Sequence, residues 1–592
     1  MLALHGHVAG GVSGRATLLA TLDAATFIYQ DIWPAVALCC LCGLLALPTV
    51  PWPRLAPPVR LGMWFTYLLA AAYTAFNVPV ANVLGTPLTA PMLEAAGGEL
   101  KDSVAVYATA SHLAAVALLA AAALVLPWIL VRLIGTRQFS ARPTRVAVLL
   151  AGLVLVTTGP ILPADQSTGG RNHNALFTLA ATEWLQWSGA AALAPPPAEL
   201  PVEGEGRDLT GLRGAGKGWN VVWIVLESTA AQYLAPYGAT PDPMPNLTAL
   251  ARNAVVFDHA YTAYPESIKN LFALLCAAEP AAYTAPGRYA EDRHPCPSVA
   301  ARFHEAGYRT ALVHSGRFVY LGMEDLLRNR GFDELHDAGS IGGRYASSFG
   351  TDEGSAVARI LDFVDAGARP FFVMYVNIAG HHPYETPGDG PRPFGEDDDF
   401  HRYLSDLYMG DAALGQLVDG VRARGMADTT LWVVQGDHGE AFYQHPGNLA
   451  HSLYIYEENV HIPLIVALPG RLRQAIHAPQ LASAVHVAPT ILDLAGLPIP
   501  DAYQGRSLLT GEPRVARFFT DHTTWQVGLR QSHWKFILEL GSNFGQLYDL
   551  STDPGEQHNL AASQPDRVAR YSEHLRQWSV YQRAWVLNGG SR

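Results

Sequence analysis

The run Val221, Val222, Trp223, Ile224, Val225, Leu226 constrains the fold most, because it is apolar on both alternating faces and stops at an acid, Glu227. An unbroken run of this kind predicts a strand covered on both sides, the central sort in a parallel sheet. Ligands of open α/β sheets sit beyond the carboxyl ends of such strands, which is where Glu227 stands. Leu431, Trp432, Val433, Val434 and Gln435 repeat the design and run into Gly436, Asp437, His438, Gly439 and Glu440. If the two strands are neighbours, Glu227, Asp437 and His438 meet at one point. A capped turn would explain a lone Asp-His pair. The apolar strand before it and the glycines and acid around it favour a metal site, and two carboxylates with an imidazole suit Zn²⁺ or Mn²⁺.

At 592 residues the chain exceeds one core, and its composition is split. Residues 1–164 are rich in Leu, Ala and Val and read as a multi-pass helical membrane domain. Four runs, at 34–50, 61–84, 103–133 and 145–162, have about the length a bilayer requires, and no charge interrupts 113–131. Residues 16–29, broken by Asp23, are a fifth span or part of a long first one, and no small-residue cleavage site follows them. Arg54, Arg60, Arg132, Arg137, Arg142 and Arg145 flank these runs on one side, which predicts a cytoplasmic face there. The expectation is a plasma (inner) membrane protein whose catalytic domain is extracytoplasmic. Residues 174–187 read either as a helix in the membrane interface or as an ordinary surface helix, and 165–218 as a linker region. Cys276 and Cys296 then form a disulfide, or remain two buried thiols. The net charge of −12 offers nucleic acid no basic footprint.

From residue 219 to about 585 strands and helices alternate. Strands are expected near 310–314, 370–377, 430–435 and 462–468, with helices near 267–277, 355–366 and 400–424 between them. That predicts an α/β domain with a mostly parallel sheet. Beyond 510 short strands at 527–530, 534–538 and 546–548 suggest a small C-terminal antiparallel sheet capped by a helix.

Ser267 opens a helix after Tyr264, Pro265 and Glu266. Serine is common as a helix cap, and the same place favours an anionic ligand or an ionised nucleophile. A hydroxyl held by a metal gives up its proton readily.

With these residues in view, the region from Trp219 to Trp578 resembles the sulfatase branch of the alkaline phosphatase superfamily. The resemblance rests on Val225–Thr229, on Gly436–Glu440, on Tyr456–Ile465, on Ala488–Gly496 and on Gln546–Glu556, in that order along the chain. With membrane spans in front, the architecture is similar to the phosphoglycerol transferases that make lipoteichoic acid and to the phosphoethanolamine transferases. The resemblance implies Glu227, Ser267, Asp437 and His438 as metal ligands and Ser267 as nucleophile. It further implies His381 as a catalytic or phosphate-binding histidine, and His451, His314 and Arg317 as groups near a second metal or the substrate. Sulfatases proper need Pro or Ala two residues, and Arg four residues, after the residue converted to formylglycine. Lys269 and Leu271 stand there instead, which favours an unmodified serine and phosphorus chemistry.

The expected activity is transfer of a phospho-head group from a membrane lipid donor to an envelope glycan or lipid acceptor, through a phosphoseryl enzyme. The alternative is a phosphodiesterase or sulfuric ester hydrolase with water as acceptor. A non-enzymatic scaffold is the third reading, opposed by the intact Glu227, Ser267, Asp437 and His438.

Overall fold

The computed structural model describes residues 29–39, 41–42, 44–45, 52–84, 87–88, 109–134, 150–155, 157–158, 173–180 and 194–590, apart from 202, 285, 346–348, 385–389 and 523–524 within the last stretch. The chain divides into two compact units. One comprises Met1–Ser188 with His522–Trp525 and Glu539–Phe544, the other Gly189–Asp521, Gln526–Leu538 and Gly545–Arg592.

In the first unit, helices α1 (Ala56–Leu84) and α2 (Ala110–Ile134) are joined by a hydrogen bond from the Tyr67 hydroxyl to the Ala123 carbonyl at 2.7 Å. Among the described residues one stretch, Ala110–Ile129, is long and apolar enough to cross a membrane, and none of it is buried. Helix α1 has 29 residues but includes Arg60, Asn77 and an internal Pro79, which lower its apolar character. Among the described residues, one of the four expected spans is supported. The 16–29 segment lies outside the described residues except for Tyr29, and much of 34–50 and 145–162 lies outside them as well. Residues 175–180 of the expected interfacial helix are helical.

The second unit is built on an eight-stranded sheet. Its strands in chain order are β1 (Asn220–Leu226), β2 (Ala254–Phe257), β3 (Arg309–His314), β4 (Glu334–His336), β5 (Phe371–Val376), β6 (Thr430–Gly436), β9 (Leu464–Ala467) and β10 (Ile476–Ala478), the labels β7 and β8 belonging to the hairpin Ala441–Phe442 and Leu449–Ala450. Across the sheet the order is β10-β2-β9-β6-β1-β5-β3-β4. Strand β1 pairs in parallel with β5 on one side and β6 on the other, so it is central, and Val221–Leu226 are all buried. Alternate residues feed two separate apolar layers, Val221, Trp223 and Val225 into one, Val222, Ile224 and Leu226 into the other. That is why both faces had to be apolar. Strand β9 runs antiparallel to β6 and β2, so the sheet is mixed. Helices α3 (Ser267–Cys276), α4 (Glu353–Asp365) and α5 (Asp399–Ala423) flank it.

A second sheet, β11 to β14 (Val515–Thr520, Gln526–Gln531, Trp534–Glu539, Phe544–Asp549), is followed by helix α6 (Pro565–Leu587). The Gly-rich 211–218 stretch, expected to be linker, is hydrogen-bonded to the domain: Gly214 N donates to Asp493 O at 2.8 Å and Gly216 N to Leu494 O at 2.9 Å. Cys276 and Cys296 form a disulfide with Cα atoms 5.6 Å apart.

Candidate metal centre and nucleophile

The pairing of β1 with β6 sets Leu226 beside Gly436, so the next residues of both strands, Glu227 and Asp437, leave the sheet side by side. The chain turns at once: Ser228 adopts φ 51°, a left-handed conformation that is costly for a residue with a Cβ. It is held there by Ser228 N donating to Asp437 Oδ1 at 3.0 Å and its hydroxyl donating to Glu227 Oε1 at 3.1 Å. Asn377, at the end of β5, accepts from Glu227 N at 2.7 Å. Close approach needs glycine at Gly439, where a Cβ would lie 2.1 Å from the Glu458 carbonyl oxygen.

Ser267 begins α3 with its Oγ 2.8 Å from Asp437 Oδ2 and 3.1 Å from Glu227 Oε2. Its single proton can serve only one of the two carboxylates. His438 completes the group. Its Nδ1 faces the Gly439 carbonyl at 3.1 Å, which assigns the proton there and leaves Nε2 as a lone pair. That Nε2 is buried without a hydrogen-bond partner, 3.4 Å from Asp437 Oδ2 and 3.5 Å from Glu227 Oε1. Three lone-pair donors thus converge, and the Ser267 proton can serve only one of them. Burial, and then the neighbouring Asp437, push the Glu227 carboxyl well above its ordinary range, while burial pushes Asp437 up and His438 well down. The residues fit a divalent cation, held by Glu227, Asp437, His438 and the Ser267 hydroxyl.

A second group lies beside the first. His438, Glu440 and His451 bring their ligand atoms within 4.8 Å of one another. His451 Nδ1 donates to Glu440 Oε2 at 2.7 Å, its ring lies 4.1 Å from that of His438, and the Tyr384 hydroxyl donates to the other Glu440 oxygen. Burial lowers the His451 pKa, but the Glu440 carboxylate outweighs it and leaves the imidazole above its usual value.

His381 is half-buried, and its pKa is lowered to about 4 by desolvation first, then by the charge of His451. His314 donates through Nδ1 to the Val376 carbonyl at 2.9 Å, and its pKa is lowered by burial. Arg317 is half-buried on the loop three residues further on. So Glu227, Ser267, Asp437 and His438 meet as one cluster, with His451 stacked on it. His381 and His314 act on that cluster electrostatically. His445 and His461 are structural: His445 bonds Glu458 at 2.6 Å, and His461 faces the Asp258 carbonyl at 3.0 Å.

Sequence reasoning missed the residues that hold these histidines. Glu353 Oε1 accepts from the Ser315 hydroxyl at 2.9 Å and from the backbone of Ile378 and Ala379 at 2.8 and 2.9 Å, and Asp406 accepts from Gly380 N at 2.7 Å. They lie far from any motif, and no local signal marks them. Asp521 is a third: it accepts from Lys269 Nζ at 2.7 Å, from the Tyr264 hydroxyl at 2.7 Å and from Tyr283 N at 2.6 Å, gripping the chain on both sides of Ser267.

Residues 219–497 match the sulfatase family, and residues 450–578 match the C-terminal region of N-sulphoglucosamine sulphohydrolase. Arylsulfatase K of Bos taurus is 30% identical over 185 residues, 28% of this chain and 34% of that protein. The Homo sapiens protein of the same name is 30% identical over 178 residues, 26% of this chain and 32% of its own length. The chain thus spans about a third of the curated relatives it matches. Among solved structures, the lipoteichoic acid synthase LtaP from Listeria monocytogenes has a TM-score of 0.53 at 17% identity, covering 63% of this chain and 94% of that one. A protein in the alkaline phosphatase superfamily from Vibrio parahaemolyticus has a TM-score of 0.53 at 20% identity, covering 68% and 96%. These two likenesses are of fold. Fold and family match point the same way: residues 219–497 match the sulfatase family model, within a domain whose fold is like those of these two solved structures.

Proposed function

We propose that this domain is a metal-dependent hydrolase of phosphate esters in which Ser267 is the nucleophile and water the final acceptor. The observation that carries the reading is the Ser267 hydroxyl set between Asp437 and Glu227 at 2.8 and 3.1 Å. Hydrolysis is supported by the arylsulfatase names of the relatives. Phosphorus rather than sulfur is supported by Lys269 and Leu271, which replace the formylglycine signal after Ser267.

Glu227, Asp437, His438 and the Ser267 hydroxyl would hold the cation, of the Zn²⁺ or Mn²⁺ kind. When bound, it supplies a Lewis acid that polarises the ester oxygen and favours the ionised hydroxyl. Ser267 Oγ, its proton released to solvent as the hydroxyl ionises, would then attack phosphorus: its O–P bond forms, the ester P–O bond breaks, and the leaving oxygen takes a proton from protonated His381. Burial holds His381 neutral in the free site, so it becomes a donor only once an anionic ester lies beside it. Water then gives one proton to His381 and attacks the phosphoseryl phosphorus; the Ser267 Oγ–P bond breaks, phosphate leaves, and Ser267 Oγ regains a proton from solvent. His451, stacked on His438, stands beside this centre.

A second reading is transfer of the phospho-head group from a membrane lipid donor to a glycan or lipid acceptor. The span Ala110–Ile129 favours it, because it keeps the domain at a bilayer. In both readings the Cys276–Cys296 disulfide supports an extracytoplasmic domain, anchored in the plasma (inner) membrane by that span and by the three further apolar runs. The test is product analysis with the full chain, metal and a phosphodiester: free phosphate or monoester in proportion to turnover supports hydrolysis. Label appearing on an added glycan or lipid supports transfer, and cleavage of sulfate esters alone overturns the phosphorus assignment.

A further inference from the structure

The hairpin formed by β7 and β8 has the site at both of its ends, Glu440 before it and His451 after it. Its tip holds Tyr443, whose side chain is 65% exposed and whose φ is +64°, a conformation rare for a bulky residue. The surroundings over-determine this shape. Tyr443 N donates to Asn448 O at 2.8 Å, Phe442 N to Gln444 Oε1 at 2.6 Å, and Gln444 Nε2 to the Tyr233 hydroxyl at 2.6 Å. Asn448 is fully buried on Glu458 and Asn459, and the His445 ring stacks 3.7 Å from Tyr456. These contacts fix the Tyr443 backbone and leave the ring in water. A large ring presented to solvent from a strained position is unfavourable on two counts, and such strain concentrates where ligands are held.

We infer that Tyr443 is a specificity-determining contact that stacks on a sugar ring of the substrate, an assignment that rests on the ester-cleaving reading above. Tyr443 lies three positions after Glu440, a reach of at most about 10 Å, the size of one sugar beyond the ester group. An aromatic face takes the C–H side of a sugar while its hydroxyl meets the sugar's own. An acyl chain would call for a continuous apolar surface, whereas the hairpin continues as Gln444, His445, Pro446, Gly447 and Asn448.

The test compares glucose 6-phosphate with ethyl phosphate as substrates of the full chain with metal. Tyr443→Ala raises KM for the sugar ester about tenfold more than for ethyl phosphate, the loss a single stacking contact gives, and Tyr443→Phe keeps most of the preference. Tyr443→Gly loses the same preference yet melts no lower than the parent, because glycine relieves the left-handed strain. Equal changes for both esters, or a lower melting temperature for Tyr443→Gly, overturn the assignment. Should the parent cleave neither ester, the ester-cleaving reading fails. Ligand-detected NMR then decides the contact, which stands if glucose 6-phosphate binds the parent but not Tyr443→Ala and falls if both behave alike.

Discussion

Ser267 Oγ lies 2.8 Å from Asp437 Oδ2, although the two residues are 170 positions apart, one opening a helix and the other just past the end of a strand. With Glu227 and His438 they concentrate lone pairs in a buried space, an arrangement that is repulsive unless a cation lies among them. Metal removal by a chelator is therefore expected to abolish turnover and lower the melting temperature, and added metal to restore both, by the linkage of binding to folding. Glu227→Gln keeps the shape, removes one negative charge, and is expected to weaken metal affinity by at least about tenfold. Metal analysis of the purified variant checks it; undiminished metal content would exclude Glu227 as a ligand.

The Lys269–Asp521 pair is buried, 2.7 Å long, with side chains 8% and 10% exposed. Burial raises the Asp521 pKa, but the Lys269 ammonium overcomes this and holds the carboxyl below its usual range. Asp521→Asn strands a buried cation and is expected to cost about 3–5 kcal/mol in denaturant unfolding, while adding Lys269→Met recovers much of that loss. Additive effects of the two changes would show that the pair is not coupled.

Lys535, fully buried, stands 3.0 Å from both Glu457 and Glu556. Burial raises Glu457 but Lys535 outweighs it, leaving a pKa of about 2; burial of Glu556, only partly opposed by Lys535 and reinforced by Glu457, leaves about 7. The signs differ. Glu457, depressed, gives stability that is present above its unfolded pKa and lost as pH falls toward 2. Glu556, raised, gives stability that is present below its unfolded pKa and lost as pH rises through 7. Glu556→Gln is expected to match the parent in melting temperature near pH 5 and to gain on it steadily toward pH 8. A difference that does not change with pH would contradict this.

The Cys276–Cys296 disulfide closes a loop with a sequence separation of 20, joining the last residue of the Ser267 helix to the chain ahead of Val299. Its removal by Cys276→Ser with Cys296→Ser is expected to lower stability by about 3 kcal/mol. Thermal unfolding with and without reductant checks it: the variant should be insensitive to reductant, and the parent should fall to the variant's level.

The clustering of Glu227, Ser267, Asp437 and His438 was legible because each is marked locally, as an acid or Asp-His pair at the end of a long apolar strand, or as a serine opening a helix. The long strands and α3, α4, α5 and α6 were legible for the same reason. Strands β2, β4 and β10 have only three or four residues and no periodicity to read. Glu353, Asp406 and Asp521 were illegible because their roles come from residues 25 or more positions away. The membrane expectation at 61–84 went beyond its hydropathy: α1 has the length of a span, but its Asn77 and Pro79 lower its apolar character.

The central claim is that the unmodified Ser267 hydroxyl forms a bond to phosphorus. Intact-mass measurement of the full chain, acid-quenched during turnover of a phosphodiester and followed by peptide mapping, tests it most directly. The account predicts a phospho-adduct on Ser267 in the parent and none in Ser267→Ala, which also loses at least about a thousandfold in kcat/KM. Formylglycine at position 267, or full turnover by Ser267→Ala, would contradict it.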